Sequence, residues 1–302
     1  MIAEVQLNPQ SAAVSPDGRR IAYWQVLRGG GQARVLWLLD GAALTQPRVI
    51  LTLADSETAA VSTGGGVVWS SDGGSLLIGI NSIAYESAGA VDAGRYTYAA
   101  LREVEISSGS VREITRIERA LPLRPVALDR GRHLAAAVEI GGGGYIASYV
   151  VAREGGAVTR TALGINIAPA LGTSDASRVL ALRFLPSGIY VWSLVQPEGR
   201  TMLEAAPDER VETALWRNSR EIVVLIGGDS PSAHRLEVWN VEGGRRVVLA
   251  GAQDLAGVRP DGTAAILDGQ VVDLDTGAVS AIPGSLGSHG VVFARVVSVL
   301  LH

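Results

Sequence analysis

The chain has 302 residues, 47% of them hydrophobic and 19% charged, with a formal net charge of −4. This is a globular composition, long enough to bury roughly 75% of the surface an unfolded chain exposes, and its acidic balance gives no electrostatic case for nucleic acid or an anionic membrane as partner. Every one of the 26 cationic side chains is arginine and cysteine is absent, which excludes disulfides, thiolate nucleophiles, thiolate metal sites, Schiff-base lysines and a P-loop lysine.

The opening MIAEVQLNPQ holds no basic segment followed by an apolar run, so no signal peptide is expected. No apolar run of about 18 residues suggests a membrane span, and the compartment stays open. Ile2–Leu7 reads as one short strand. In AAVSPDGRRIAYW, Pro16 presets the backbone for a turn, Asp17 and Gly18 complete it, and Arg19–Trp24 reads as extended chain. RVLWLLDGA follows as a third strand ending in a polar glycine turn.

The same order then repeats. VVWSSDGGSLLIGI is followed by LREVEISSGS, PVALDRGRHLAAAV by SYVVAREGGA, and ALGTSDASRVLALRF by IYVWSLVQPEG. TALWRNSREIVVLI is followed by RLEVWNVEGG, and AGVRPDGTAAIL by QVVDLDTGAV. Anchored on the last turn residue, the first marker falls at Gly18, Gly73, Gly131, Ser177, Ser219 and Gly262, roughly 40 to 60 residues apart. Two markers in strict alternation, each closing a hairpin and each followed by another apolar stretch, give four antiparallel strands per unit. Most of these strands are apolar on both sides, as expected for sheets packed between sheets. No stretch shows the 3.6-residue period of a helix. The expected fold class is therefore all-β, a β-propeller of four-stranded blades forming a single domain over residues 1–302. Six units run from about Ser11 to Gly284. A seventh blade shared by Ile2–Leu7 and His289–His302 closes the ring, and six blades is the alternative. Trp24, Trp37, Trp69, Trp192, Trp216 and Trp239 all fall in proposed strands and are expected to fill the space between blades.

SPDGRRIAYW, SSDGGSLLIG and RPDGTAAIL resemble the WD40-like repeat of TolB-type bacterial propellers, with the S-P-D-G turn sharp in these three units and its residues replaced in the third, fourth and fifth. That resemblance implies a propeller. The same blade serves scaffolds, peptidase accessory domains and periplasmic binding proteins, so the function must be read from a site.

The second unit is stretched by NSIAYESAGAVDAGR, a dozen or so residues beyond what a tight hairpin needs. Tyr85, Glu86, Asp92, Arg95, Tyr96 and Tyr98 make it the most polar-aromatic neighbourhood of the chain and the candidate binding loop. Chemistry is otherwise sparse. The four histidines, His133, His234, His289 and His302, are scattered, with no pair at metal-ligand spacing. GGGGYIA at 141–147 lies between strands, where dinucleotide binding needs a helix. DLDTG at 273–277 reads as an ordinary turn. No G-x-S-x-G occurs, and the first strand of each unit lacks the carboxylate pair of a glycosidase. Each of Asp17, Asp72, Asp129, Asp175 and Asp261 has a sufficient reason to be acidic as a turn residue. The expected role is a non-catalytic scaffold that binds a protein or peptide through rim loops or the channel mouth, without cofactor or metal. A hydrolase with its site at that mouth and a small-molecule or ion sensor are the alternatives.

Overall fold

The computed structural model describes residues 12–26, 32–40, 47–60, 66–83, 96–118, 120–140, 146–153, 158–162, 167–173, 175–183, 187–193, 200–228, 234–259, 261–267 and 269–282. Among them are strands, turns and bends and no helix, so no helix is long and apolar enough to cross a membrane. The chain divides into two compact units, residues 1–165 and 166–302.

In the first unit, β1 (Ala12–Val14), β2 (Arg20–Val26), β3 (Gln32–Asp40) and β4 (Arg48–Thr52) make the first sheet. After the connecting strand β5 (Glu57–Ala60), the second sheet is β6 (Val67–Trp69), β7 (Ser75–Ile83), β8 (Tyr96–Glu105) and β9 (Val111–Glu118). The third is β10 (Leu123–Asp129), β11 (Leu134–Ile140), β12 (Ile146–Arg153) and β13 (Val158–Ala162). In the second unit, the fourth sheet is β14 (Ile167–Gly172), β15 (Arg178–Arg183), β16 (Gly188–Ser193) and β17 (Arg200–Glu204). The fifth is β18 (Arg210–Trp216), β19 (Glu221–Gly227), β20 (Arg235–Asn240) and β21 (Arg245–Ala250). The sixth is β22 (Gly257–Val258), β23 (Ala264–Leu267), β24 (Gln270–Asp273) and β25 (Val279–Ala281). All pairings are antiparallel between neighbours in sequence, except that β5 pairs with both β3 and β7 and joins the first two sheets into one.

Alternation along the middle strands explains why they are apolar on both sides. In β7, Leu76, Ile78 and Ile80 pack with Trp24, Leu36 and Leu38 of the first sheet. Leu77, facing the other way, packs with Leu123, Leu128 and Ala135 of the third. In β19, Ile222, Val224 and Ile226 join Leu180 and Val191 of the fourth sheet, while Val223 and Leu225 join Ala265 and Leu267 of the sixth. The second and third sheets approach closely at Gly79, where a Cβ would meet the Leu123 carbonyl oxygen at 2.0 Å.

Hydrogen bonds repeat with the sheets. The Trp69 indole donates to the carbonyl of Ala13 in the preceding sheet at 2.9 Å, and Trp216, at the equivalent place before its turn, donates to Leu171 at 3.0 Å. On the outer strands, Arg48 donates to the Ile106 carbonyl at 3.0 Å and Arg246 to that of Leu274 at 2.7 Å; both acceptors are the residue after the third strand of the next sheet. All six tryptophans lie in strands, and Trp24, Trp192 and Trp239 are among the most deeply buried side chains.

The turn after the first strand keeps one geometry in four sheets. Ser15, Ser70, Thr173 and Arg259 each accept from the N–H three residues on, and their own N–H bonds the carbonyl five residues on, all at 2.9 Å. The third residue is always aspartate, whose carboxylate takes the N–H two residues ahead: Asp17 from Arg19, Asp72 from Gly74, Asp175 from Ser177 and Asp261 from Thr263. The left-handed position holds Gly18, Gly73, Ala176 and Gly262. The fourth unit therefore retains the turn that its sequence appeared to have lost, and its anchor is Ala176 (φ 53°), one residue before Ser177. The third turn differs, with His133 left-handed, and in the fifth the Asn218 side chain caps Arg220 and Glu221. Ile2–Leu7 and His289–His302, proposed for a shared blade, lie outside the described residues.

Ala176→Gly is expected to raise stability by about 0.5–1 kcal/mol by relieving a left-handed alanine. Gly262→Ala is expected to lower it by about 1–3 kcal/mol, since its φ is 71° and a Cβ would sit 2.6 Å from the Arg217 carbonyl oxygen. Chemical denaturation reads both. Trp216→Phe, which strands a carbonyl between sheets, should cost about 1–2 kcal/mol. Trp37→Phe, whose indole bonds the exposed Gln25 side chain, should cost under about 0.5 kcal/mol.

Candidate functional site

The outer hairpin of the second sheet, β8 and β9, carries charge on both faces. Arg102 and Glu103 are consecutive in an extended strand and so project to opposite sides. Hairpin register sets Arg102 beside Glu113 and Glu103 beside Arg112.

On one face, Arg102 grips Glu57 of β5 with two bonds, Nη1 to Oε2 at 2.9 Å and Nη2 to Oε1 at 2.5 Å. The Tyr98 hydroxyl donates to the same Glu57 carboxylate at 2.5 Å. Arg116 binds Glu113 through Nε and Nη2 at 3.0 and 2.9 Å and stacks over the Tyr98 ring at 3.8 Å. Arg102, outweighing burial and aided by Tyr98, holds the Glu57 carboxyl below its ordinary value, while burial, then Glu57, pushes the Tyr98 phenol up. A buried carboxylate with this many charge-assisted bonds is a structural clasp between the connecting strand and the sheet.

On the other face lies an open groove of about 570 Å³ between the second and third sheets, lined by Asp72, Glu103, Glu105, Arg112, Arg130 and His133. Glu103, 6% exposed, forms its floor. Arg112 binds it at 2.5 Å and Arg130 at 3.0 Å through Nε, and Arg130 also reaches Asp72 at 3.1 Å. Arg130 thus ties the turn of the third sheet to the turn and third strand of the second. Burial opposes ionisation of Asp72, but the Ser70 hydroxyl, the Gly74 N–H and Arg130 hold its carboxyl below the ordinary value. Glu105, on the exposed lip, is held down by the Ser108 and Ser110 hydroxyls. His133 is exposed at the edge of the groove, in a left-handed turn conformation.

Sequence reasoning pointed beside this hairpin. Tyr85, Glu86, Asp92 and Arg95 lie outside the described residues. Tyr96 and Tyr98 lie in β8, and Tyr98 joins the clasp on Glu57. Asn81–Ile83, read as loop, continue β7, so the hairpin extends beyond its neighbours. The groove residues were not singled out as a site, although counting outward from the Gly109 turn would have set Glu103 opposite Arg112. The pairing of Arg130 with Asp72 joins residues 58 positions apart and has no local sequence signal. Among the described residues no group of three or more His, Asp or Glu side chains suits a metal ion. Of GGGGYIA, Ile146 and Ala147 are described and begin β12, which pairs antiparallel with β11, and Asp273 caps the turn at Asp275 and Thr276.

Buried carboxylates elsewhere follow the same rule. Glu139 takes bonds from Ser148 and from Arg160, the latter at 2.5 Å. Glu237 takes them from Arg235 and the Trp239 indole, both at 2.5 Å.

No family model matches the chain, and no curated protein matches its sequence. Solved structures do. An oligogalacturonate lyase in complex with manganese is 16% identical, with a TM-score of 0.57 over 87% of this chain and 72% of the lyase. An acylaminoacyl peptidase in complex with a chloromethyl ketone is 14% identical, with a TM-score of 0.57 over 87% of this chain and 41% of the peptidase. TolB from Acinetobacter baumannii is 13% identical, with a TM-score of 0.47 over 78% of this chain and 53% of TolB, a likeness too distant to argue from. The chain spans about half or less of the peptidase and TolB chains. At these identities the likeness shows the fold, an all-β arrangement of propeller type, and the chemistry of the neighbours stays with them.

Because Glu57, Asp72 and Glu113 all ionise more readily folded than unfolded, the unfolded chain takes up more protons as acid is added. Their stabilisation is present above the ordinary carboxylate pKa and lost as pH falls through the lower, folded value. Denaturation midpoints should be flat above about pH 5 and fall toward pH 3. In Glu57→Gln the midpoint should be lower at pH 7 and the acid slope shallower.

Proposed function

We propose that this chain is a non-catalytic propeller that binds a protein or peptide, and that the groove between the second and third sheets is its binding surface. The six described sheets belong on this reading to one domain, with the two chain ends supplying a seventh blade. The observation that carries the reading is the pairing inside the groove. Glu103 is bound by Arg112 and Arg130, and Asp72 by Arg130, whereas a general acid or base needs a carboxyl left able to exchange its proton with a substrate. The Ser110 hydroxyl donates to Glu105, so its proton is committed to a carboxylate and not to an imidazole. Rigid turns presenting fixed charge are what a recognition surface requires. Tyr85, Glu86, Asp92, Arg95, Tyr96 and Tyr98 are on this reading a second candidate contact, separate from the groove, since Tyr96 and Tyr98 begin β8 and Tyr98 belongs to the clasp on Glu57.

A hydrolase is the second reading, favoured by His133 standing beside three carboxylates in one groove. Panning a peptide-display library on the purified chain separates the two. Enriched peptides are expected, with binding weakened at least about tenfold in Arg130→Glu, provided that variant keeps its melting temperature. If nothing is enriched while the protein turns over peptide, ester or uronide substrates and His133→Ala abolishes turnover, the scaffold reading is wrong.

A further inference from the structure

The lining charges of the groove are unevenly satisfied. Arg112 is engaged by Glu103, and Arg130 by both Glu103 and Asp72. Both oxygens of Glu103 are thereby used, and Asp72 divides its oxygens among Ser70, Gly74 and Arg130. Glu105 differs. Its bonds come only from neutral serine hydroxyls, with Ser108 and Ser110 both reaching Oε2; Arg130 acts on it only through space, and among the described residues it has no ion-pair partner. Three carboxylates face two guanidinium groups, and Glu105, the one outside an ion pair, stands on the solvent-facing lip.

We infer that the groove selects a peptide segment bearing an arginine or lysine side chain, whose cation pairs with the outer oxygen of Glu105 while the chain lies across the Arg130 bridge. This rests on the peptide-binding reading above. The groove is open and about 570 Å³ in volume, room for a few residues of a peptide segment. An acidic ligand would meet guanidinium groups already neutralised by Glu103 and would bring a like charge to Glu105. The side chain of Glu105 projects from a turn fixed by the Glu105 N–H to Ser110 carbonyl bond and the Gly109 N–H to Glu105 carbonyl bond, so the acceptor is held before the ligand arrives.

The test uses the full chain and three capped tetrapeptide pools, identical except for one fixed arginine, one fixed glutamate or one fixed glutamine, with binding read by fluorescence anisotropy at low and at physiological salt. The arginine pool is expected to bind about tenfold tighter than the glutamate pool. Glu105→Gln should cut the preference to about threefold or less, and Glu105→Arg should reverse it, with melting curves confirming that both variants fold. A glutamate pool that binds as well as the arginine pool, or a preference that survives Glu105→Gln, overturns the inference and leaves peptide binding standing. Failure of all three pools to bind overturns peptide binding itself.

Discussion

The organising constraint is that the middle strands bury both faces. Leu76, Leu77, Ile78 and Ile80 of β7 are all inaccessible to solvent, as are Ile222, Val223, Val224 and Ile226 of β19. A single sheet has no way to cover such a strand, because alternate side chains leave on opposite sides and each side needs a partner. The apolar clusters accordingly straddle neighbouring sheets, first with second, second with third, fourth with fifth and fifth with sixth. Stability is therefore held between sheets, and the repeat is a thermodynamic requirement, as in other architectures built of units that lack a complete core.

Apolar contact is non-directional, so something else must fix how one sheet sits on the next. Two polar contacts serve this purpose and recur at equivalent places. One is an indole N–H just before the turn, reaching the preceding sheet's first strand through Trp69 and Trp216. The other is an outer-strand guanidinium reaching the turn of the following sheet, through Arg48 and Arg246. Gly79 adds a steric condition, letting two backbones approach where any side chain would hold them apart.

Charge is confined mainly to the outer strands and turns, and the buried glutamates Glu57, Glu103, Glu139 and Glu237 are each met by an arginine. Such pairing offsets the desolvation of a carboxylate and leaves little chemistry in it. The groove between the second and third sheets is where this pattern opens to solvent. Its floor is satisfied, and Glu105 on its lip stands outside any ion pair among the described residues. Fold neighbours that include a lyase and a peptidase show how little the architecture dictates, and the side chains of this one groove carry the functional reading.

The sequence by itself determined the strand count per unit, the alternation of two turn types, and the burial of Trp24, Trp69, Trp192 and Trp239, whereas Trp37 and Trp216, also expected between sheets, are only partly buried. Those features depend on local propensity and on period-two patterning, which a linear chain displays directly. It disclosed the fourth turn only in part: Thr173 and Asp175 keep the hydrogen bonds, and Ala176, not the expected anchor Ser177, occupies the left-handed position that Gly18, Gly73 and Gly262 hold in the other three. Backbone bonding, and not residue identity, preserves that turn. Tertiary structure alone decided that β5 bridges two sheets, that Arg130 reaches Asp72 and Glu103, and that Glu105 is left over. The first two join segments whose spacing in the chain follows no local rule, and Arg130's choice of Asp72 and Glu103 as its ion-pair partners, which leaves Glu105 outside a pair, is made only when neighbouring sheets have been packed together.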